Sequence, residues 1–154
     1  MESTLGKRLL QGRFESPIHA AVLNLLVAAG HVQERLARLL DRYELTPAQY
    51  NVLRILKGAG PEGHPRCEIA RRMIERAPDL TRLVDRLERR GLVERARSGE
   101  DRRHSITRIT RRGLELIERV APEVDQLHRA VARRLRGSEA ARLSRLCERL
   151  YAED

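Results

Sequence analysis

The sequence predicts a mostly α-helical protein with one small β-hairpin. Apolar residues recur at alternating intervals of three and four along most of the chain, a pattern typical of amphipathic helices. Between residues 92 and 109 the pattern changes to two short runs rich in β-forming residues, with a polar turn between them. The chain has 154 residues, the usual length of one domain, so residues 1–154 are expected to form a single unit.

The first long helix is predicted from about Ser16 to Tyr43. Its apolar residues follow a pattern close to a heptad seam, and Leu26 and Leu40 widen that seam. One domain of this size has little need of so long an apolar helix, so a partner chain is expected to cover part of it. The seam consists of Ile18, Val22, Leu25, Ala29, Val32, Leu36 and Leu39.

Two shorter helices follow. Thr46 and Gln49 form a capping box around Pro47, which predicts a helix ending at Gly58, and the stretch from Gly58 to Pro65 is predicted to be a loop. The next helix is expected at about 67–74.

A further helix is predicted from Pro78 to Arg90. Proline suits its first turn, and Asp79 favours the positive end of the helix dipole. The apolar stripe of this helix predicts its buried side, and the polar residues fall on the other side. The stripe is Leu80, Leu83, Val84 and Leu87, and the polar side includes Thr81, Arg82, Asp85, Arg86 and Arg89.

The predicted strands are 92–97 and 105–109, joined by a turn at 98–101. Thr110 is expected to cap another long helix, which Pro122 should kink or locally open. Gly137 and Ser138 are expected to end that helix and to cap a last one, whose apolar residues are Leu143, Leu146, Cys147 and Leu150.

The charge distribution points to nucleic acid. The formal net charge is +9, and 29 of the 31 basic residues are Arg, whose planar guanidinium suits phosphates and guanine edges. A GC-rich genome would also raise the Arg content. However, residues 66–112 hold 15 Arg against 8 Asp or Glu, so this segment carries +7 of the +9. That concentration favours a binding face over codon bias.

These elements together predict a winged helix-turn-helix with an added helical dimerisation region. The helix from Pro78 to Arg90 would lie in a DNA major groove, and the cationic hairpin tip would reach a minor groove. The predicted DNA-binding residues of the helix are Asp79, Thr81, Arg82 and Arg86. Those of the wing are Arg95, Arg97, Asp101, Arg102, Arg103 and His104.

At these residues the chain resembles the MarR family of bacterial transcription regulators. The matching segments are 81–93, the Asp101-Arg102-Arg103 tip, and Ile109-Thr110-Arg111-Arg112-Gly113, where Ile109 replaces the family's Leu. The resemblance implies a homodimer built from residues 16–45 and 114–152, with a DNA-binding lobe at 46–113. Each lobe would read half of an inverted repeat, with Arg103 in the minor groove and Asp101 holding it through a salt bridge.

The resemblance also implies a small anionic or aromatic effector, bound between the dimerisation helices and the DNA-binding lobe, that changes the lobe spacing. His31 and Tyr50 are the candidate lining residues. The regulator is expected to be a ligand-responsive repressor that binds a pseudo-palindromic operator as a dimer. A regulator of this class that lacks a small ligand is the nearest alternative.

Other functions find little support in the sequence. There is no phosphate-binding glycine loop, no nucleophile elbow, and no ligand cluster of His or Cys, so no enzyme activity, cofactor or metal is expected. No signal peptide or membrane span is recognisable, which predicts a cytoplasmic protein. Two alternatives stay open: a helical protein-interaction module with an incidental basic wing, and a redox-responsive regulator that uses Cys67.

Overall fold

The computed structural model describes residues 3–76, 79–97 and 105–152. Its helices are α1 (Thr4–Leu9), α2 (Pro17–Asp41), α3 (Pro47–Ala59), α4 (Arg66–Arg72), α5 (Leu80–Arg89), α6 (Arg111–Ala132) and α7 (Glu139–Tyr151). Its strands are β1 (His64–Pro65), β2 (Val93–Arg97) and β3 (Ser105–Ile109). The predicted class, mostly helical with a small hairpin, is confirmed.

Short polar side chains start the helices where the sequence indicates. Thr46 and Gln49 form the complete capping box of α3. The hydroxyl of Ser16 accepts from the main-chain N–H of His19 at the start of α2, and Thr110 does the same for Gly113 at the start of α6. These caps satisfy helix N–H groups that otherwise lack partners, so they fix where each helix begins.

The sheet is antiparallel, with the strand order β1-β3-β2. Val93 lies opposite Ile109 and Arg95 opposite Thr107, as expected for a hairpin. Strand β1 and one 3₁₀ turn, Gly60–Glu62, lie in the segment that the sequence predicted as a loop, so that expectation was wrong for those residues. Gly63 makes the pairing possible: its φ is +66°, and a Cβ there would clash with the carbonyl oxygen of Thr107.

The core is formed mainly by residues of α3, α5 and α6, and the carboxyl end of α2 completes it. Its fully buried side chains are Leu40, Val52, Leu53, Leu56, Ile69, Leu87, Val93, Ile117 and Val120. This core therefore holds α5 and the hairpin in one unit.

The helices differ from expectation at three points. Helix α1 was not predicted from the sequence. Helix α6 continues past Pro122 and ends at Ala132, before Gly137, where the sequence predicted its end. Ser138 precedes α7 but makes no side-chain capping bond; instead, the Glu139 carboxylate accepts from the Arg136 main-chain N–H at 2.6 Å.

Candidate nucleic-acid interface

Helix α5 separates apolar and cationic side chains cleanly. Leu80, Val84 and Leu87 are buried in the core. Arg82 and Arg86, with Thr81, are exposed. The helix periodicity places the buried residues on one side, so the exposed ones form a polar face that is free to meet a ligand.

Asp79 organises the start of this face. Its carboxylate accepts from the main-chain N–H of Arg82 at 3.1 Å and pairs with the Arg82 side chain at 3.0 Å. Asp79 was predicted to be a DNA-binding residue, and the structure gives it two local roles, as the N-cap of α5 and as the partner that orients Arg82.

Thr81 is joined to the preceding helix. Its hydroxyl accepts a hydrogen bond from Arg66, the first residue of α4, at 2.9 Å. Sequence reasoning did not identify Arg66 as a site residue. Its charge and its place at the start of the helix-turn-helix offered only a weak signal, because an exposed Arg there looks the same in the sequence whether or not it bonds to Thr81.

The hairpin begins next to α5. The Arg95 guanidinium on β2 pairs with Asp85 and with Glu88 of α5, the latter at 3.5 Å. Arg97 is the last residue of β2. The predicted tip residues Asp101, Arg102, Arg103 and His104 lie outside the residues that the structure describes.

Part of the positive charge on α4 is balanced locally. Glu68 bonds to Arg72 at 3.0 Å and to Arg71 at 2.8 Å. The hydrogen bond from Arg72, with the nearby charge of Arg71, holds the pKa of the Glu68 carboxyl below its ordinary value. Arg71 and Arg72 therefore share one carboxylate, as Arg82 of α5 shares that of Asp79.

A cavity of about 340 Å³ adjoins the polar face of α5. It lies between the start of α3, the residues after α4, and the side chains of Arg82 and Arg86. The cavity holds both signs of charge, since Glu75, Arg76 and Asp79 also line it. Any molecule bound in it would touch the exposed face of α5 that carries Arg82 and Arg86.

The two predicted effector residues are not brought together in this cavity. His31 is exposed on α2. Tyr50 is buried in the core and its hydroxyl accepts from Arg54 at 3.5 Å. An effector site at His31 and Tyr50 stays a prediction.

Cys67 is exposed near the start of α4, and Cys147 is half-buried on α7. Within residues 3–76, 79–97 and 105–152, no three His, Cys, Asp or Glu side chains are grouped to hold a metal ion. Across the same ranges, no helix has the length and apolar character needed to cross a membrane.

A short helix, a second helix with an exposed cationic face, and an antiparallel hairpin packed beside it define the winged helix-turn-helix class of DNA-binding proteins. A model of the MarR family matches residues 45–105, which cover α3 to the start of β3.

Similar proteins agree with this class. The HTH-type transcriptional repressor IacR of Pseudomonas putida is 31% identical over 122 residues, which cover 79% of this chain and 72% of that protein. The crystal structure of a MarR transcription factor from Planctomyces limnophilus is 38% identical, with a TM-score of 0.70 over 88% of this chain and 98% of that one. A DNA complex of Staphylococcus aureus MepR has the same fold, with a TM-score of 0.74 over 82% and 92% of the two chains, at 19% identity.

The chain therefore belongs to the MarR family, and it is a DNA-binding transcription regulator.

Proposed function

We propose that this protein is a repressor that binds a pseudo-palindromic operator as a homodimer. The observation that carries the proposal is the face of α5, where exposed Thr81, Arg82 and Arg86 lie opposite a buried apolar stripe and beside the hairpin. A helix with one face locked into a core can enter a major groove as a rigid body. This role needs no catalytic step, and its chromosomal target places the protein in the cytoplasm.

The dimer is supported by apolar surface that a single chain leaves open. No residue of α7 is buried, and the first half of α2 exposes its predicted seam. Large exposed patches of this kind mark interaction sites, because leaving them in water is unfavourable. The exposed apolar side chains of these two helices are Ile18, Val22, Leu25, Leu26, Val32, Leu143, Leu146, Leu150 and Tyr151.

On the operator, Thr81 and Arg82 face base edges and Arg86 meets a phosphate. The hydrogen bond from Arg66 holds the Thr81 hydroxyl, and the Asp79 pair holds the Arg82 side chain. Such pre-ordering lowers the entropy cost of each contact. In the wing, Arg103 enters the minor groove with Asp101 as its partner. Arg97, Arg102 and His104 contact the sugar-phosphate backbone.

A small anionic or aromatic effector controls this binding through a population shift. It must bind the DNA-incompetent lobe spacing more tightly than the competent one. Exposed His31 and buried Tyr50 are the proposed lining residues. If every anionic or aromatic effector tested binds the free protein and the DNA complex with equal affinity, this mechanism fails and the regulator acts through its abundance alone.

The test is a footprint of the pure protein on its own upstream DNA at two salt concentrations. A protected inverted repeat whose affinity falls steeply with salt supports the proposal, because phosphate contacts release counterions. Uniform coating without symmetry, or no protection, contradicts it and favours the protein-interaction module. Loss of protection upon mild oxidation, absent in Cys67→Ser, would support the redox alternative.

A further inference from the structure

We propose that Arg95 is a positioning residue, which fixes the hairpin against α5 and does not itself bind DNA. This inference rests on the operator binding proposed above. It replaces the DNA-binding role that the sequence predicted for Arg95. Three features support it: the direction of its side chain, its two carboxylate partners, and its place in the sheet.

The direction of the side chain follows from the pleat of β2. Successive residues of a strand point to opposite faces, so Arg95 shares a face with Val93. Val93 is 2% exposed and belongs to the core that also contains Leu87 of α5. Arg95 is therefore directed toward α5, and 70% of its side-chain surface is covered, since 30% is exposed.

The partners of Arg95 lie one turn apart on α5. Asp85 and Glu88 both pair with its guanidinium, Glu88 at 3.5 Å. The spacing of three residues puts the two carboxylates on the same side of the helix. A guanidinium with several N–H donors in a rigid plane can hold two carboxylates at once, which an ammonium does less well. The contact therefore restrains both the distance and the rotation of β2 relative to α5.

The sheet carries this restraint to the second strand. Arg95 lies opposite Thr107 of β3, which is 3% exposed, and the ladder continues from there to the pair Arg97 and Ser105. The position of both strands at the last described pair therefore depends on where Arg95 holds β2.

The ion pair between Arg95 and Asp85 also neutralises an unfavourable negative charge. Asp85 directly precedes Arg86, whose exposed side chain lies on the polar face of α5. A free carboxylate at that place would repel the DNA phosphates, and Arg95 compensates it. Ion pairs that are 30–40% exposed contribute little to folding, so the effect of this pair should appear in DNA binding more than in stability.

The decisive variant is Asp85→Asn, because the two possible roles of Arg95 predict opposite changes in its affinity for DNA. If Arg95 binds a phosphate, the loss of Asp85 frees Arg95, removes a negative charge, and strengthens DNA binding. If Arg95 positions the hairpin, Asp85→Asn loosens it and weakens DNA binding. We expect a loss of about threefold to tenfold for Asp85→Asn and for Arg95→Gln, and nearly the same loss for the double variant.

The measurement is fluorescence anisotropy of the full-length dimer on a duplex that the wild-type protein enriches from a random pool. Hydroxyl-radical footprinting should show reduced protection of the outer minor grooves in both variants, with the thermal midpoint within about 2 °C of wild type. Arg95→Lys should recover part of the affinity, because an ammonium still reaches one carboxylate. Glu94→Gln, an exposed charge on the same strand, is the control and should leave binding equal or stronger.

Stronger or unchanged binding by Asp85→Asn overturns the proposal, as does additive loss in the double variant. If Arg95→Gln fails to fold, the direction of the affinity change in Asp85→Asn still distinguishes the two roles of Arg95. If the wild-type protein enriches no duplex, the operator binding itself is wrong and this inference falls with it. Enrichment followed by unchanged affinity of Asp85→Asn overturns the inference alone.

Discussion

Arg90 joins the end of α5 to the segment that follows α2. Its guanidinium donates to the main-chain carbonyl of Tyr43 at 3.2 Å and also to the carbonyl of Glu44. These carbonyls follow the last turn of α2, where helix C=O groups lack partners. The Tyr43 hydroxyl in turn donates to Glu123 of α6 at 2.5 Å. One polar junction therefore connects α5, α2 and α6.

Arg90→Lys should lower the free energy of unfolding by about 1–2 kcal/mol, because a single ammonium cannot satisfy both carbonyls and hydrogen bonds to charged groups are the strong ones. Urea unfolding followed by circular dichroism measures this. Arg89→Lys is the matched control, since among the described residues exposed Arg89 bonds to its own helix, through the Asp85 carbonyl at 3.4 Å. Equal effects of the two substitutions would show that the junction does not stabilise the fold.

Arg103→Ala should weaken operator binding by about 1–3 kcal/mol without changing dimerisation, because the proposed minor-groove contact is lost from each wing. Anisotropy titrations at several salt concentrations measure the loss. Arg8→Ala, at an exposed position of α1, controls for the removal of one positive charge. If both variants lose affinity equally, Arg103 contributes only net charge.

Leu146→Glu should yield monomers, because Leu146 lies on the apolar face of α7 and is 46% exposed in the single chain. A buried carboxylate without a partner is strongly unfavourable in an interface. Light scattering after gel filtration measures the mass. Ile74→Glu is the control: Ile74 is 86% exposed but lies between α4 and α5, so the dimer should persist. A dimeric Leu146→Glu protein would exclude α7 from the interface.

Gly113→Ala and Gly58→Ala should change stability in opposite directions. A Cβ on Gly113 would clash with the Leu92 carbonyl oxygen, so a loss of about 2 kcal/mol is expected. Gly58 lies inside α3 with open space around it, and alanine there should add about 0.5–1 kcal/mol because alanine favours the helix. Thermal unfolding of both variants checks the signs, and a stable Gly113→Ala protein would contradict the close approach.

The stability should also depend on the charge of Glu68. Its pKa in the folded chain is lowered by Arg72 and Arg71, so the carboxylate stabilises the fold above the ordinary Glu pKa. That contribution is lost as the pH falls through the folded-state value. Wild type should therefore exceed Glu68→Gln in stability at pH 7, and the difference should shrink below about pH 4. In an Arg72→Ala background, the difference at pH 7 should be smaller.

The elements that sequence reasoning located well are those whose signals are local. Thr46 and Gln49 indicate the start of α3, and the apolar stripe from Leu80 to Leu87 indicates which side of α5 is buried. Strand β1 could not be predicted, because two residues show no periodicity and their pairing depends on Thr107, more than 40 residues away. Helix α1 is too short to give a periodic pattern.

The role of Arg95 was obscured for a different reason. A guanidinium in a basic hairpin looks the same in a sequence whether its partner is a phosphate or a carboxylate. The acids at 85 and 88, spaced to share one side of α5, were the available signal. Using that signal required knowing that the side chain of Arg95 points from β2 toward α5.

The hydrogen bonds of Thr110 fix the end of α5 against the start of α6. Its hydroxyl donates to the Gly91 carbonyl at 2.7 Å and accepts from Gly113, and its main-chain N–H donates to Leu92 at 3.1 Å. The exit of α5 and the first turn of α6 therefore move together. In the proposed dimer, the angle between the two chains would therefore set the angle between the two α5 helices around the DNA axis. One extra base pair between half-sites would rotate the second half-site by about 35°, and the contact between the two chains would have to change to accommodate it.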